Sequence, residues 1–314
     1  MVVTPSRTPV RLRLGTRQSP LAMAQAEEAR ARLCAAHGWP SESVELVPVR
    51  ASGDKIQDRP LADIGGKALW TRELDLWLAQ GRIDAAVHSM KDVETVRPDS
   101  LSIAAILPRE DVRDVLIGAS SILTIPQGAR IGTSAPRRAA QMLHHRPDCR
   151  IVSFRGNVAT RLAKLHAGEA EVTLLAAAGL NRVGRSGTGT VLEPNEFLPA
   201  PAQGAIGLEC NRADGPTREL LAAIDDRTSR DTVLAERALL SGLGGTCHSP
   251  IAVLSAWQDA NIAMRAAIFS ADGAVRIDDA ITAPPGDTGQ FRDLGRNLLR
   301  QAPDHVARLF TGAA

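Results

Sequence analysis

Short apolar runs alternate with amphipathic segments through the first hundred residues. One such segment begins at Ser19 and Pro20, a pair typical of a helix start, and it is followed by Gly38, typical of a helix end. We predict strands at residues 10–15, 44–49 and 83–87 and helices at 20–36 and 71–80. The order strand, helix, strand, helix, strand is that of a doubly wound α/β sheet.

The same alternation resumes beyond residue 100. We predict strands at residues 101–106, 112–117, 131–132, 151–154, 172–180 and 203–210 and helices at 136–144 and 158–166. A charged connection, PREDVRD, separates the two sets, and a Pro-rich connection, EPNEFLPAPA, precedes the last strand, which we expect to rejoin the first sheet. The crossovers at 107–114 and 193–203 should permit the two units to move relative to each other.

The last part of the chain has a different pattern, in which three strands follow one another between helices. We predict helices at residues 216–224, 229–241 and 290–301 and strands at 251–257, 262–269 and 274–280. The strands alternate like an antiparallel meander, which predicts a small α+β domain. The expected domains are residues 1–106 with 203–222, residues 112–198, and residues 226–314.

Charge is unevenly distributed along a chain whose net charge is only +2. Between Arg130 and Arg161 there are seven arginines and a single acidic residue, Asp148. This local excess of positive charge predicts a binding site for an anion. The near-neutral total, with 3% aromatic residues and no tyrosine, disfavours nucleic acid as a partner.

Location and metal binding are also constrained by the sequence. No segment has the apolar core of a secretory signal, and no apolar run approaches the roughly 18 residues of a membrane span. We therefore expect a cytoplasmic protein without a membrane partner. We also expect a monomer. The cysteines lack CxxC spacing and a paired histidine, so neither a metal site nor a disulfide framework is predicted. Cys247 stands in a Gly-rich loop and could be a reactive thiol, although a lone cysteine is more often a small buried residue.

Polar residues follow several predicted strands, where open α/β sheets bind their ligands. Asp92 follows the strand at 83–87 and is the first candidate for chemistry, although Lys91 and Asp92 alone would also fit a solvated turn. Arg17 lies between a strand and a helix start, where backbone N–H groups favour an anion, with a plain surface arginine as the alternative. Lys67 follows two glycines and either reaches a ligand or belongs only to a turn.

Arginine recurs at three consecutive predicted strand-to-helix turns of the second unit. These arginines are Arg137, Arg138, Arg155, Arg161 and Arg182, and two hydroxyl residues, Thr133 and Ser134, come just before the first of them. Hydroxyl groups, N–H groups and guanidinium groups at a helix start form a cradle for carboxylate or phosphate. Cations in a first turn are unfavourable to the helix dipole, so their placement calls for a nearby anion. The three turns together predict a pocket for a ligand with several carboxylates or phosphates.

Seven segments stand out along the chain: RQSPLA (17–22), GGKALW (65–70), VHSMKDV (87–93), GTSAPRR (132–138), FRGNVATRLAKL (154–165), AAAGLNR (176–182) and QGAIGLEC (203–210). In their order and spacing, over about residues 10 to 255, the chain resembles the porphobilinogen deaminase family. Each motif is weak alone, but seven in register are highly specific. The chain departs from the family where an acidic residue and two glycines usually precede a cysteine, since Gly244, Gly245 and Thr246 stand there.

The resemblance implies three domains, the first two built like periplasmic binding proteins. It also implies a transferase of tetrapyrrole biosynthesis, which joins porphobilinogen head to tail into hydroxymethylbilane with loss of ammonia. Growth in the family occurs on a dipyrromethane cofactor held by a thioether to a cysteine, whose position Cys247 matches. Clustered arginines suit this chemistry, because each pyrrole brings two carboxylates and the growing chain accumulates negative charge.

The resemblance also assigns roles to individual residues. Asp92 matches the catalytic carboxylate, which would stabilise a cationic azafulvene as ammonia departs and would shuttle protons. The positions that match binders of cofactor and substrate are Arg17, Ser19, Lys67, Ser89, Lys91, Thr133, Ser134, Arg137, Arg138, Arg155, Arg161, Arg182 and Gln203. A second hypothesis is a non-enzymatic relative of solute-binding proteins that senses an organic anion. It explains the arginines but gives no role to Asp92 or Cys247.

Overall fold

The computed structural model describes residues 9–49, 71–245 and 249–310. The first part of the chain contains β1 (Leu12–Arg17), α1 (Pro20–His37), β2 (Val44–Val49), α2 (Arg72–Ala79), β3 (Ala85–Ser89) and β4 (Leu101–Ile106). The second part contains β5 (Asp114–Ile117), β6 (Arg130–Gly132), α3 (Pro136–His145), β7 (Arg150–Val152), α4 (Val158–His166), β8 (Val172–Ala176), α5 (Ala177–Arg182) and β9 (Thr190–Val191). The remainder contains β10 (Ile206–Asn211), α6 (Gly215–Ala222), α7 (Arg227–Leu243), β11 (Ile251–Gln258), β12 (Asn261–Phe269), β13 (Arg276–Ala283), α8 (Thr288–Gln301) and α9 (Asp304–Ala307).

The first sheet has the strand order β2-β1-β3-β10-β4. β1 runs parallel to β2 and β3, whereas β10 runs antiparallel to β3 and β4. The predicted return of the chain to the first sheet through β10 is therefore confirmed. Because β1 and β3 are parallel neighbours, their carboxyl ends meet at one edge of the sheet, where Arg17 and Ser89 lie.

The second sheet repeats this arrangement, with the order β7-β6-β8-β5-β9. β6 is parallel to β7 and β8, and β5 is antiparallel to β8 and β9. In each sheet the fourth strand of this order is the first strand after a crossover, β10 in the first sheet and β5 in the second. Both crossovers consequently run side by side, and the backbone N–H of Glu110 donates to the carbonyl of Gly204 at 3.3 Å.

The third sheet is an antiparallel meander of β11, β12 and β13. Helices α7 and α8 pack with it around a core that includes Leu239, Ile268 and Phe291, all fully buried. The expected fold class, two doubly wound α/β units followed by a small α+β unit, is confirmed.

One predicted element is wrong. The apolar run at 172–180 is not a single strand, because β8 ends at Ala176 and α5 begins at Ala177. The ladder stops there because Ala176 pairs with Asp114, the first residue of β5, so the sheet offers no further strand partner. The alanines that follow are strong helix formers. Arg182 therefore ends a short helix instead of following a strand.

Candidate active site

Asp92 ends a short 3-10 turn, Met90–Asp92, that directly follows β3. The N–H of Met90 donates to the carbonyl of Ala205 at 3.0 Å, and the Met90 side chain is fully buried. These contacts fix the turn against the segment that leads into β10. Asp92 is partly exposed, and no hydrogen bond or ion pair joins its carboxylate to another described residue. Its carboxylate is thus held at the edge of the sheet without an internal partner in the described chain.

Ser89, the last residue of β3, is fixed by a residue that sequence reasoning missed. The side-chain amide of Gln25 in α1 donates to the Ser89 Oγ at 2.8 Å. The Ser89 Oγ also lies 3.0 Å from the Gln25 Oε1. Gln25 is buried, so the pair ties the amphipathic helix to the strand that precedes Asp92. A polar residue on the buried face of a helix was the only signal for this role.

Positive charge surrounds the Asp92 turn on two sides. Burial, reinforced by the neighbouring Arg138, lowers the pKa of Lys91 to about 8, while Asp92 acts in the opposite direction. Burial likewise lowers the pKa of Arg161 to about 10, again with Arg138 and Arg155 lowering it and Asp92 raising it. Neither Lys91 nor Arg161 forms an ion pair with a carboxylate among the described residues. This set of donors fits a ligand that carries several carboxylates.

Arg137 and Arg138 are both buried and both bind Asp114, which begins β5. An Arg137 Nη donates to one carboxylate oxygen at 2.6 Å, and Arg138 donates to the other through Nε at 3.0 Å and Nη2 at 2.6 Å. Burial would raise the pKa of the Asp114 carboxyl, but the two guanidinium groups outweigh it and hold that pKa below its ordinary value. Sequence reasoning missed Asp114, whose only signal was an acid at the start of an apolar run.

Gln203 lies in the second crossover and joins the same group. Its side-chain N–H donates to the carbonyl of Val112 at 2.7 Å and lies 3.3 Å from the Asp114 carboxylate. Gln203 is fully buried, and its Oε1 has no hydrogen-bond partner among the described residues. Gln203 thus links the two crossovers and contacts the same carboxylate that Arg137 and Arg138 bind.

The hydroxyl residues before α3 hold the turn itself. The Thr133 Oγ1 accepts a hydrogen bond from the N–H of Ala135 at 3.2 Å, and the Ser134 Oγ donates to the carbonyl of Phe154 at 2.8 Å. The helix starts at Pro136 after Ala135, which supplies no side-chain cap. Both hydroxyl groups therefore stabilise the connection that brings Arg138 into the cluster.

The other predicted residues are distributed as follows. Ser19 caps α1, its Oγ accepting from the N–H of Ala22 at 3.3 Å, and Arg17 is partly buried at the end of β1. Arg182 is turned towards the first unit, where it donates to Glu28 at 3.1 Å and to the carbonyl of Gly204 at 3.1 Å. None of its contacts among the described residues involves the Asp92 turn. Lys67 and Cys247 lie outside the described residues, as does the GGKALW segment.

The two ends of the segment that contains Cys247 are described. At its start, the carbonyl of Gly245 accepts a hydrogen bond from the Thr95 Oγ1 at 3.3 Å. At its end, the Ser249 Oγ donates to the carbonyl of Leu309 at 2.9 Å. Thr95 is three residues beyond Asp92 in the chain. The chain therefore enters the Cys247 segment beside the connection that follows Asp92.

Two further features bear on the kind of site. In the described part of the chain, no helix combines the length and the apolar character that a membrane crossing requires. Within the same residues, no group of three or more His, Cys, Asp or Glu side chains is arranged to hold a metal ion.

Two family models and several known proteins are similar to this chain. The family model described as porphobilinogen deaminase, dipyromethane cofactor binding domain, matches residues 12–219, and that of the porphobilinogen deaminase C-terminal domain matches residues 231–301. A porphobilinogen deaminase of Sphingopyxis alaskensis is 54% identical over 305 residues, covering 95% of this chain and 96% of that protein. One from Paracoccus denitrificans is 47% identical, covering 93% and 95%. An arginine-specific periplasmic binding protein of Salmonella typhimurium aligns with a TM-score of 0.39 at 11% identity, covering 71% of this chain and 94% of that one.

Proposed function

Because the chain belongs to the porphobilinogen deaminase family, we propose that Asp92 is its catalytic carboxylate and that Cys247 carries its cofactor. The enzyme is a transferase of tetrapyrrole biosynthesis. It condenses four porphobilinogen molecules head to tail into hydroxymethylbilane, with release of ammonia, on a covalent dipyrromethane primer.

The observation that carries the proposal for Asp92 is its electrostatic setting. The Asp92 carboxylate follows a central strand of the first sheet and interacts electrostatically with Lys91 and Arg161. It has no hydrogen bond or ion pair to any other described residue. A structural aspartate would be satisfied as Asp114 is, by two guanidinium groups. Asp92 is instead available to a ligand, and the surrounding cations favour a ligand that is an anion.

Each group has a separate task in the condensation. When bound, dipyrromethane supplies the pyrrole carbon on which the new carbon–carbon bond forms. The cations hold the carboxylates of the pyrroles, so that the reacting carbons meet beside Asp92. Loss of ammonia leaves positive charge on the substrate, and the Asp92 carboxylate stabilises that charge where it develops. The same oxygens take up the proton that the pyrrole ring loses and can return it in the next cycle.

We propose the following residues as binders of cofactor and substrate carboxylates: Arg17, Ser19, Lys67, Ser89, Lys91, Thr133, Ser134, Arg137, Arg138, Arg155, Arg161, Arg182 and Gln203. The contacts of Ser19, Thr133, Ser134 and Gln203 support roles in which they hold the local backbone as well. We also propose three domains, residues 1–106 with 203–222, 112–198 and 226–314. A cytoplasmic monomer without nucleic-acid or membrane partners completes the proposal.

The test combines two measurements on purified protein. Intact-mass spectrometry should show an adduct of dipyrromethane size, and Cys247→Ser should abolish it. Asp92→Asn should lower the rate of porphobilinogen consumption by about 10²- to 10⁴-fold, the usual contribution of a positioned acid or base, while the adduct remains. Asp99→Asn is the matched control, because Asp99 is an exposed aspartate of the same connection.

Two outcomes would contradict the proposal. Normal turnover by protein that lacks any adduct would remove Cys247 from the chemistry. Unchanged turnover in Asp92→Asn, together with weakened binding of a tetracarboxylate in Arg161→Met, would favour the sensor hypothesis instead.

A further inference from the structure

Helix α7 of the third unit contacts the connection that follows Asp92, and Arg237 makes the hydrogen bonds of its guanidinium group there. The Arg237 Nη2 donates to the carbonyl of Glu94 at 2.6 Å and to that of Thr95 at 3.0 Å. Its Nη1 donates to the carbonyl of Val93 at 3.3 Å. One guanidinium group therefore binds three successive carbonyls, beginning at the residue after Asp92.

The same helix makes two further contacts with this connection. Val233, one turn before Arg237, is buried in one apolar cluster with Val93 and Met90, which flank the residues Lys91 and Asp92. At the end of the helix, the carbonyl of Gly245 accepts from the Thr95 Oγ1. The Asp92 turn and the start of the Cys247 segment are thus attached to one rigid helix.

Arg237 is a buried cation on which Glu209 and Glu94 act electrostatically without forming an ion pair. It is 8% exposed, and no ion pair joins it to a carboxylate among the described residues. Burial, with a smaller effect of Arg97, lowers the pKa of its guanidinium to about 10. A buried cation held mainly by backbone carbonyls is costly to the fold, and an apolar side chain would fill the space without that cost. An apolar side chain could not, however, donate the hydrogen bonds that Arg237 makes to three carbonyls.

We infer that Arg237 is a positioning residue for Asp92: by fixing the backbone of residues 93–95 to helix α7, it sets the position of the catalytic carboxylate relative to that helix. The inference rests on the proposed role of Asp92. One guanidinium group can bind all three carbonyls only if the backbone of residues 93–95 keeps its present conformation. Loss of the guanidinium group therefore displaces Asp92 without removing any group that contacts the substrate.

The experiment compares Arg237→Met and Arg237→Lys with Arg230→Met. Arg230 is the matched control, because it lies on the same helix and also ties it to the first sheet, by donating to the carbonyl of Ala104 at 2.7 Å. Arg237→Met should lower kcat by about 10- to 100-fold, the scale of a small misplacement of a reacting group, with KM within about twofold. Arg237→Lys should recover part of kcat, since an ammonium group can still donate to the carbonyls.

Two readouts are independent of turnover. Backbone amide hydrogen exchange of residues 93–96 should become faster in Arg237→Met and stay unchanged in Arg230→Met. Intact mass should show the same fraction of protein carrying the adduct in parent and variants. If Arg237→Met fails to fold, Arg237→Lys alone should show reduced kcat, faster exchange of residues 93–96 and unchanged adduct.

The inference is overturned if kcat falls equally in Arg237→Met and Arg230→Met, in proportion to lost thermal stability. A rise in KM at constant kcat, or unchanged amide exchange, would overturn it as well. Failure of the proposed function is recognised separately, because it appears as normal turnover in Asp92→Asn whatever the Arg237 variants do.

Discussion

Lys91 shows how the candidate active site keeps positive charge available for a ligand. Its ammonium group is partly buried beside Arg138, has Asp92 as its sequence neighbour, and makes no hydrogen bond or ion pair to the described residues. A buried cation among other cations destabilises the protein by itself, and a bound polyanion relieves that cost. Binding of a polycarboxylate beside Lys91 should therefore release unfavourable electrostatic free energy.

This arrangement predicts a pH-dependent stability. The pKa of Lys91 is lowered from 10.5 to about 8 in the folded protein, so between these values the unfolded chain binds more protons than the folded one. The contribution of Lys91 to the free energy of unfolding is thus unfavourable at pH 7 and improves as the pH rises from 8 to 10. Lys91→Met should unfold at a higher temperature than the parent at pH 7, with the difference shrinking by pH 10.

Thermal unfolding of cofactor-free protein at several pH values measures this effect, with the parent and the variant compared at each pH. Lys164→Met is the control, because it removes a lysine that pairs with Glu169 on the surface at 3.4 Å. A stability difference between parent and Lys91→Met that stays constant from pH 7 to pH 10 would rule out the proposed titration.

For single residues, the sequence allowed us to predict the cationic side chains but not the groups that they bind. The arginines of the second unit stood out because seven of them occur with a single acid between residues 130 and 161. Asp114 did not stand out, because it ends a connection in which five of seven residues are charged. Its burial depends on the pairing of Asp114 with Ala176, a contact between residues 62 positions apart. Arg237 was hidden for the same reason, since its carbonyl partners are more than 140 residues away.

At the scale of elements, periodicity succeeded for long segments and failed for a short apolar one. Helix α1 ends at His37, with Gly38 in the left-handed conformation at φ 64°, as a glycine after a helix predicts. The run at 172–180 was ambiguous, because a short apolar run fits a buried strand or a buried helix equally well. The length of the neighbouring strand β5 decided between them, and local sequence carries no information about that.

Close helix packing in the third unit gives a prediction about one glycine. A Cβ built on Gly295 of α8 would lie 2.5 Å from the carbonyl oxygen of Leu239 in α7, so the backbones of the two helices approach too closely for any side chain. Gly295→Ala should lower the free energy of unfolding by about 1 to 3 kcal/mol, the usual cost of overpacking a core. Urea unfolding followed by circular dichroism measures the loss.

Gly289→Ala in the same helix is the control. The nearest atom to its Cβ would be the flexible Asp287 Oδ1 at 3.3 Å, so alanine fits there with little adjustment. This variant should be neutral, or more stable by up to about 1 kcal/mol because alanine favours the helix. Equal losses in the two variants would show that close approach of α7 and α8 is not the cause.

At the scale of the whole molecule, the three units meet at one buried carboxylate. Glu236 of α7 is fully buried and accepts from Arg109 of the first crossover at 2.8 and 3.0 Å. It also accepts from the N–H of Ala202 in the second crossover at 2.5 Å and from the Ser255 Oγ of β11 at 2.5 Å. Both crossovers are therefore fixed to the third unit, and any movement of the first two units must occur around this junction.

Removing the negative charge of Glu236 should lower the free energy of unfolding more than removing a charge from an exposed ion pair. Glu236→Gln replaces an acceptor oxygen with an N–H₂ group that faces donors, and it leaves the Arg109 guanidinium buried without a charge partner. Breaking a buried pair in this way costs about 3 to 5 kcal/mol of unfolding free energy. Because the Glu236→Gln cost includes the unpaired Arg109, the double variant Arg109→Met with Glu236→Gln should lose clearly less stability than the sum of the single losses.

Urea unfolding of the two single variants and the double variant completes the cycle. Arg113→Met is the comparison within the first crossover, since Arg113 pairs with Asp111 at 2.8 Å in a partly exposed position and should cost no more than about 1 kcal/mol. Additive losses in the cycle, or a Glu236→Gln loss as small as that of Arg113→Met, would mean that the crossovers are held by their backbone contacts alone. The junction would then be a flexible joint between independent units, instead of a fixed point that holds both crossovers to the third unit.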